Sequence, residues 1–286
     1  MKIISDIFKM QRTADDLRAS GKKIALVPTM GYLHEGHLSL VDEAKKNADV
    51  VVLSIYVNPS QFAPHEDLST YPRDFARDSK LAEARGVDII FAPEDKVMYP
   101  EKELVFVETE EVSHILEGEF RPTHFKGVAS VVAKLFNIVK PHVAVFGQKD
   151  AQQAFIIRRM VSDLNFDVSM IVAPIVREED GLALSSRNVY LSEENRKEAT
   201  VLYRSLNLAQ QIVRDGERQF TRVRSEMLRH ITAESQGKID YISFVNPDTF
   251  TRVEEAGALK RVLALLAARF GRTRLIDNMF LEVSHK

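Results

Sequence analysis

Residues 24–37, IALVPTMGYLHEGH, decide how this chain is read. Four apolar residues, Ile24, Ala25, Leu26 and Val27, run up to Pro28, and Gly31 follows shortly after. That pattern predicts a buried strand that stops at the proline and opens into a loop. From Gly36 to Asn47 the spacing becomes helical, with Leu38, Val41 and Ala44 on one face. Working outward, the same alternation repeats. Residues 50–57 (VVVLSIYV) predict a strand stopped by Asn58 and Pro59, and residues 73–85 a helix with Phe75, Leu81 and Ala82 to pack. Residues 88–92 (DIIFA) predict a strand closed by Pro93. A helix over 125–139 turns Val128, Val131, Val132 and Leu135 inward, and a strand over 143–146 runs straight into Gly147. A helix over 151–161 and a strand over 168–172 complete the series.

Strands alternating with helices of this length make βαβ units, so the fold class is α/β: a Rossmann-like parallel sheet with helices on both faces. Ligands bind beyond the carboxyl ends of such strands, which directs attention to residues 28–37, 58–61, 147–153 and 174–187. After about residue 188 the period changes. Ser192 is expected to cap one long helix to Arg214, striped by Ala199, Leu202, Leu206, Ala209 and Val213 and stopped by Asp215 and Gly216. A helix over 219–235 follows, then β-like segments at 240–246 and 274–280 around residues 262–267 (VLALLA), which suit strand or helix equally. The expected organisation is a Rossmann-like domain over 1–176, a hinge and active-site loop over 177–188 (REEDGLALSSRN), and a smaller α+β domain over 189–286.

Composition narrows the function classes. The 286 residues carry 39 Lys and Arg against 41 Asp and Glu, a balance that argues against a nucleic-acid-binding surface. Cysteine is absent, which excludes disulfides, thiolate nucleophiles and Cys-ligated zinc. No apolar run is long enough to span a membrane and the N-terminus lacks a secretory pattern, so the expected location is the cytoplasm.

Two constellations carry chemistry. In the first, Gly31 and Gly36 allow close backbone approach, and the helix start at 36–38 is expected to offer unpaired N–H groups to a phosphate. His34 and His37, three residues apart, can set two imidazole donors on one phosphate group as charge builds on its oxygens. Zinc ligation with a third group such as Glu35, or a purely structural histidine pair, remains open for the same residues. Neither the dinucleotide fingerprint nor the P-loop pattern is present. The second constellation joins Lys149, in Gly147-Gln148-Lys149-Asp150, with Ser185, Ser186 and Arg187 in a loop able to close over a polyphosphate and exclude water. Gln61 and Gln153 each offer a donor and an acceptor, suiting a small hydroxylated acid. Arg121 and Lys126 are candidates to neutralise a carboxylate or support a loop, and His124 to begin a helix.

Taken in order and spacing, PTMGYLHEGH at 28–37, VNPSQF at 57–62, YPRD at 71–74, RPTHFKGV at 121–128, FGQKD at 146–150 and LSSRN at 184–188 resemble the pantothenate synthetase family, the pantoate–β-alanine ligases, over essentially the whole chain. The resemblance implies a Mg²⁺-dependent condensation of (R)-pantoate with β-alanine through a pantoyl adenylate, releasing diphosphate and AMP. It also implies a homodimer made through the Rossmann-like domain. ATP would be bound by Met30, Gly31, Tyr32, Leu33, His34, Glu35, Gly36 and His37, by Gly147, Gln148, Lys149 and Asp150, by Val176 at the adenine side, and by Leu184, Ser185, Ser186 and Arg187. Within these, His37, His34, Lys149, Ser185, Ser186 and Arg187 would carry the catalytic contacts, and Gln61 and Gln153 would bind pantoate. Asp78 and Asp150 are candidates to assist Mg²⁺, but no protein ligand is assigned. Val189 stands where many relatives have glycine, and Arg77 where some have an acid. The nearest alternative is a transferase that stops after adenylylating a phosphate-bearing acceptor, and a more distant one is a non-catalytic nucleotide sensor.

Overall fold

The structure, a computed structural model, describes residues 1–64 and 66–284. These described residues divide into two compact units, one within 1–148 and 152–174, the other within 149–151 and 175–284.

The first unit holds six parallel strands: β1 (Lys2–Ile4), β2 (Ile24–Thr29), β3 (Val50–Ile55), β4 (Ile89–Phe91), β5 (Val143–Gly147) and β6 (Ser169–Ala173). Their order across the sheet is β1-β4-β3-β2-β5-β6, every neighbouring pair parallel. The chain therefore winds outward from β2 through β3 to β4, then returns to build β5 and β6 on the other side. β2 and β5 flank the point where the order reverses, where an open α/β sheet leaves a crevice at its carboxyl edge.

Alternation along β2 shows that both faces are covered. Ile24 and Leu26 join one buried cluster, with the helices Ile7–Ala19, His124–Val139 and Ala151–Asp163. Ala25 and Val27 join another, with the helices Glu35–Asn47 and Phe75–Ala84. A strand buried on both sides has no polar face to show, which is why these segments read as unbroken apolar runs. The inward positions expected on the helix His124–Val139, namely Val128, Val131, Val132 and Leu135, are all buried.

Several expectations are corrected. β2 continues through Pro28 to Thr29, because its pairing to β5 covers Ala25 and Leu26 and has ended before the proline's missing N–H is needed. Phe75 is exposed, since it opens its helix instead of lying on the inward stripe. β1 and the helix Ile7–Ala19 had no counterpart in the sequence reading; Asp6 caps that helix by accepting from the Lys9 N–H at 2.7 Å.

In the second unit Ser192 does cap a helix, accepting from the Asn195 N–H, but the expected single helix is two, Glu193–Glu198 and Val201–Arg214. The Thr200 hydroxyl donates to the Lys197 carbonyl, drawing off a backbone acceptor at the break. The helix Phe220–Glu234 follows, and then a three-stranded antiparallel sheet in the order β7 (Lys238–Val245), β8 (Arg261–Phe270) and β9 (Thr273–Glu282). The undecided residues 262–267 are thus strand, paired on both edges. Ala199, Leu202, Leu206, Ala209 and Val213 are all buried against this sheet's core, together with Phe220, Phe244 and Leu266.

Candidate active site

β2 delivers Met30 and the turn after it to the carboxyl edge of the sheet. Gly31 has φ +81°, and a Cβ there would meet an Asp78 carboxylate oxygen at 3.0 Å and an Ile55 methyl at 3.1 Å, so only glycine fits. Asp78, 1% exposed, accepts the Tyr32 and Leu33 N–H groups through its two oxygens, each at 2.7 Å. Burial pushes the Asp78 carboxyl above its ordinary value, opposed by those two N–H groups and by Arg77. Gly31 donates its own N–H to the Thr29 hydroxyl at 3.2 Å.

The helix start beyond this turn closes on itself. The His34 Nδ1 accepts from the Gly36 N–H at 3.1 Å, and the His37 Nδ1 from the His34 N–H at 3.3 Å, a reciprocal cap on the helix Glu35–Asn47. The His37 and Leu38 N–H groups both turn back to the His34 carbonyl. The amides expected to await a phosphate at 36–38 are therefore satisfied within the chain, a correction to the sequence reading. The same bonds select a tautomer: with both Nδ1 lone pairs used, each neutral ring carries its proton on Nε2. The rings lie 4.0 Å apart, centroid to centroid. A phosphate here would thus be met by imidazole N–H groups.

Gln61 is held from several sides, although it lies on a three-residue turn, Pro59–Gln61, beyond β3. It is 6% exposed, its Nε2 sits 2.8 Å from the Met30 sulfur, and its Oε1 accepts from the Asn58 side chain at 3.3 Å. Asn58 also donates to the Gly127 carbonyl at 3.2 Å and accepts from the Tyr99 hydroxyl at 2.7 Å. Burial pushes the Tyr99 phenol up to about 12, so it stays protonated and donates this bond to Asn58. The Gln61 carbonyl accepts from His124 Nδ1 at 3.0 Å. A carbonyl can only accept, so His124 Nε2 is left to accept from Arg121 at 3.1 Å. Arg121 in turn grips Glu66 through two N–H groups, at 2.9 and 2.6 Å. A cavity of about 760 Å³ opens alongside, lined by Met30, Tyr56, Phe62, Arg73 and Asp78 among others. Gln153 stands on the first turn of the helix after β5, at the same edge of the sheet. Lys126 points elsewhere, to Glu108 at 3.1 Å and over the Phe106 ring.

Gly147 and Gln148 end the first unit's β5 and open the turn beyond it, whereas Lys149, Asp150, Val176 and residues 184–187 belong to the second unit. Lys149, in the turn Gln148–Asp150, lies 3.6 Å from Asp150, which is half exposed. Residues 176–184 form a small hairpin: Leu184 donates to the Val176 carbonyl at 3.0 Å, and Glu178 to Leu182 at 2.9 Å. Ser185 caps the turn Ser186–Tyr190 by accepting from the Arg187 N–H, and Ser186 is buried. Arg196 fastens the hairpin tip through Asp180 and Glu178, and its hydrogen bond holds the Asp180 carboxyl below the usual range. Val189 is exposed.

Among the described residues no three His, Asp or Glu side chains gather to hold a metal. Mg²⁺ takes phosphate oxygens, waters and one or two carboxylates. Asp150, half exposed beside Lys149, fits that donor set; Asp78, buried with both oxygens occupied, does not. Sequence reasoning passed over Asn58, Tyr99 and Glu66. Asn58 was read only as a strand stop, although asparagine before proline, with serine two places on, is itself a turn signal.

Residues 2–280 match the family model for pantoate–β-alanine ligase. The chain belongs to the pantoate–β-alanine ligase family. It is 53% identical over 283 residues to the pantothenate synthetase of Acetivibrio thermocellus, covering 99% of each chain. It is likewise 53% identical over 281 residues to that of Thermotoga petrophila, covering 98% of this chain and all of the relative. Among solved structures, the pantothenate synthetase of Thermus thermophilus superposes with a TM-score of 0.91 at 42% identity, covering 98% and 99% of the two chains. The ligase of Francisella tularensis, solved in complex with β-γ ATP and β-alanine, superposes with a TM-score of 0.80 at 34% identity, with 99% of each chain covered.

Proposed function

We propose that this member of the family condenses (R)-pantoate with β-alanine in two steps at the carboxyl edge of the parallel sheet. A pantoate carboxylate oxygen attacks the α-phosphorus of ATP; the bond to the β-phosphate oxygen breaks and its electron pair leaves with diphosphate. The amine of β-alanine then attacks the acyl carbon of the pantoyl adenylate, loses a proton, and AMP departs with the carbon–oxygen bond pair. A carboxylate does not readily expel oxide to form an amide, whereas AMP is a competent leaving group.

The observation that carries this reading is the reciprocal cap of His34 and His37, which fixes two neighbouring imidazoles with Nδ1 accepting and the proton of each neutral ring on Nε2. Donors already in place where phosphoryl charge develops need no reorganisation during the reaction. In this reading residues 30–37 line the ATP site, Gly147, Gln148, Lys149 and Asp150 follow the polyphosphate, and Val176 takes the adenine side. Leu184, Ser185, Ser186 and Arg187 close over the phosphates from the 177–188 segment, which acts as hinge and loop. Mg²⁺, when bound, shields the phosphate charge; Asp150 is the side chain placed to assist it. Gln61 and Gln153 hold the pantoate hydroxyls, and the network from Asn58 to Glu66 keeps Gln61 from turning away. The protein is expected in the cytoplasm as a homodimer, with small molecules and not nucleic acid as ligands; among the described residues no helix is long and apolar enough to cross a membrane.

The test supplies ATP and Mg²⁺ with pantoate and β-alanine, singly and together, and follows diphosphate, AMP and amide. Pantoate alone should give diphosphate without free amide product, and both acids together should give pantothenate and AMP. Absence of pantothenate with all substrates present would sink the reading.

A further inference from the structure

Asp277 and Asn278, adjacent on β9, are 3% and 2% exposed, and each spends its side chain on a segment assigned above to the nucleotide. Successive side chains of a strand face opposite ways, so this pair reaches in two directions at once. Asp277 accepts two N–H groups of Arg177 at 2.6 and 2.9 Å, at the first residue of the 177–188 segment. Arg177 also donates to the Gly181 carbonyl at 3.0 Å and lies over the Tyr203 ring at 4.2 Å, so the base of the hairpin is fixed to the strand. In the other direction the Asn278 side-chain amide donates to the backbone carbonyl of Lys149 at 3.0 Å.

That bond falls on a turn, not on a ladder. A buried amide is costly unless it is hydrogen-bonded, and an apolar side chain would carry no such demand. The carbonyl it satisfies belongs to the residue whose ammonium must reach a phosphate. Burial pushes the Asp277 carboxyl up, while the Arg177 pair and the nearby Lys149 charge pull it down, so Lys149 and Arg177 act on the same strand residue.

We propose that Asn278 is a positioning residue for Lys149, and that Asp277, through Arg177, references the 177–188 segment to the same strand. β9 thereby sets the spacing between the lysine and the Ser185–Arg187 hydroxyl and guanidinium groups before ATP arrives. The inference rests on Lys149 being a phosphate ligand.

The experiment is a double-mutant cycle in the full-length protein, read as pantoate-dependent exchange between ATP and diphosphate over a range of ATP and pantoate concentrations. Asn278→Leu removes the donor and keeps the branched skeleton at a larger volume; Asn278→Ala removes it without added bulk and serves if the leucine variant does not fold. Each is combined with Lys149→Ala. Loss of the Asn278 donor should lower adenylation at least tenfold while KM for pantoate moves less than twofold. It should add no further loss once Lys149 is alanine. A damaging Lys149→Ala whose loss multiplies with that of Asn278→Ala would overturn the positioning role alone, because a general packing defect behaves that way. An unimpaired Lys149→Ala variant would overturn the reading of Lys149, and this inference with it.

Discussion

At the scale of the residue, Asp78 organises the turn after β2 by accepting its backbone N–H groups. Its two oxygens hold consecutive N–H groups, and the absent Cβ of Gly31 leaves room for one of them. Asp78→Asn keeps the shape but turns one acceptor into a donor, leaving an N–H of Tyr32 or Leu33 unmatched. The expected cost is about 1–3 kcal/mol at neutral pH, with slower adenylation, measured by urea denaturation and diphosphate release. The pH dependence follows from burial. Because the folded carboxyl is raised above its ordinary value, the folded state binds that proton more tightly than the unfolded state does. This group's contribution to stability therefore falls as pH rises from the ordinary carboxylate range through the raised value. Asp78→Asn should remove that component, so the two proteins' stabilities converge toward higher pH only in this term; identical pH profiles across the carboxylate range would contradict it.

At the scale of the element, the helix His124–Val139 and the turn Pro59–Gln61 are fitted backbone to backbone. A Cβ at Gly127 would stand 2.4 Å from the Ser60 carbonyl oxygen and 2.6 Å from the Gln61 nitrogen. Gly127→Ala must therefore move the turn that carries Gln61. The expected result is a loss of about 1–3 kcal/mol from overpacking, with a KM for pantoate raised at least fivefold and KM for ATP little changed. An equal rise in both constants would argue that the turn serves the whole site. Helix and strand identities were legible because period and burial agree along these segments. The fit at Gly127 was not, since a glycine in a helix gives no sign of what approaches it. The same limit applies at residues 199–200, where a strong apolar stripe predicts one helix and a side-chain hydroxyl helps part it into two.

At the scale of the whole molecule, the first unit carries a buried cluster on each face of its sheet and the second carries one of its own. In the second, Phe220 and Phe244 stack with centroids 4.7 Å apart and are fully buried. Phe244→Ala should cost about 3–5 kcal/mol in chemical denaturation, as removal of a large core ring does. A loss under about 1 kcal/mol would show that this stack does not anchor the unit.

The sequence by itself determined the α/β class, the alternation of strands and helices from β2 to β6, and the positions of residues 30–37 and Gln61 beyond the carboxyl ends of their strands. Apolar runs, helical stripes and stop residues are local, and a parallel sheet follows from their alternation. His34 and His37 were legible as a pair for the same reason, being three residues apart. Only the tertiary structure decided what they are bonded to: the backbone N–H groups expected for phosphate are taken up by the cap, and both Nδ1 atoms act as acceptors. It alone joined Asp78 to Leu33, Arg121 to Glu66 and Asn278 to Lys149, across separations of 45, 55 and 129 residues. Hydrogen bonds of that kind depend on where the backbone brings two groups. No periodicity in the chain records it.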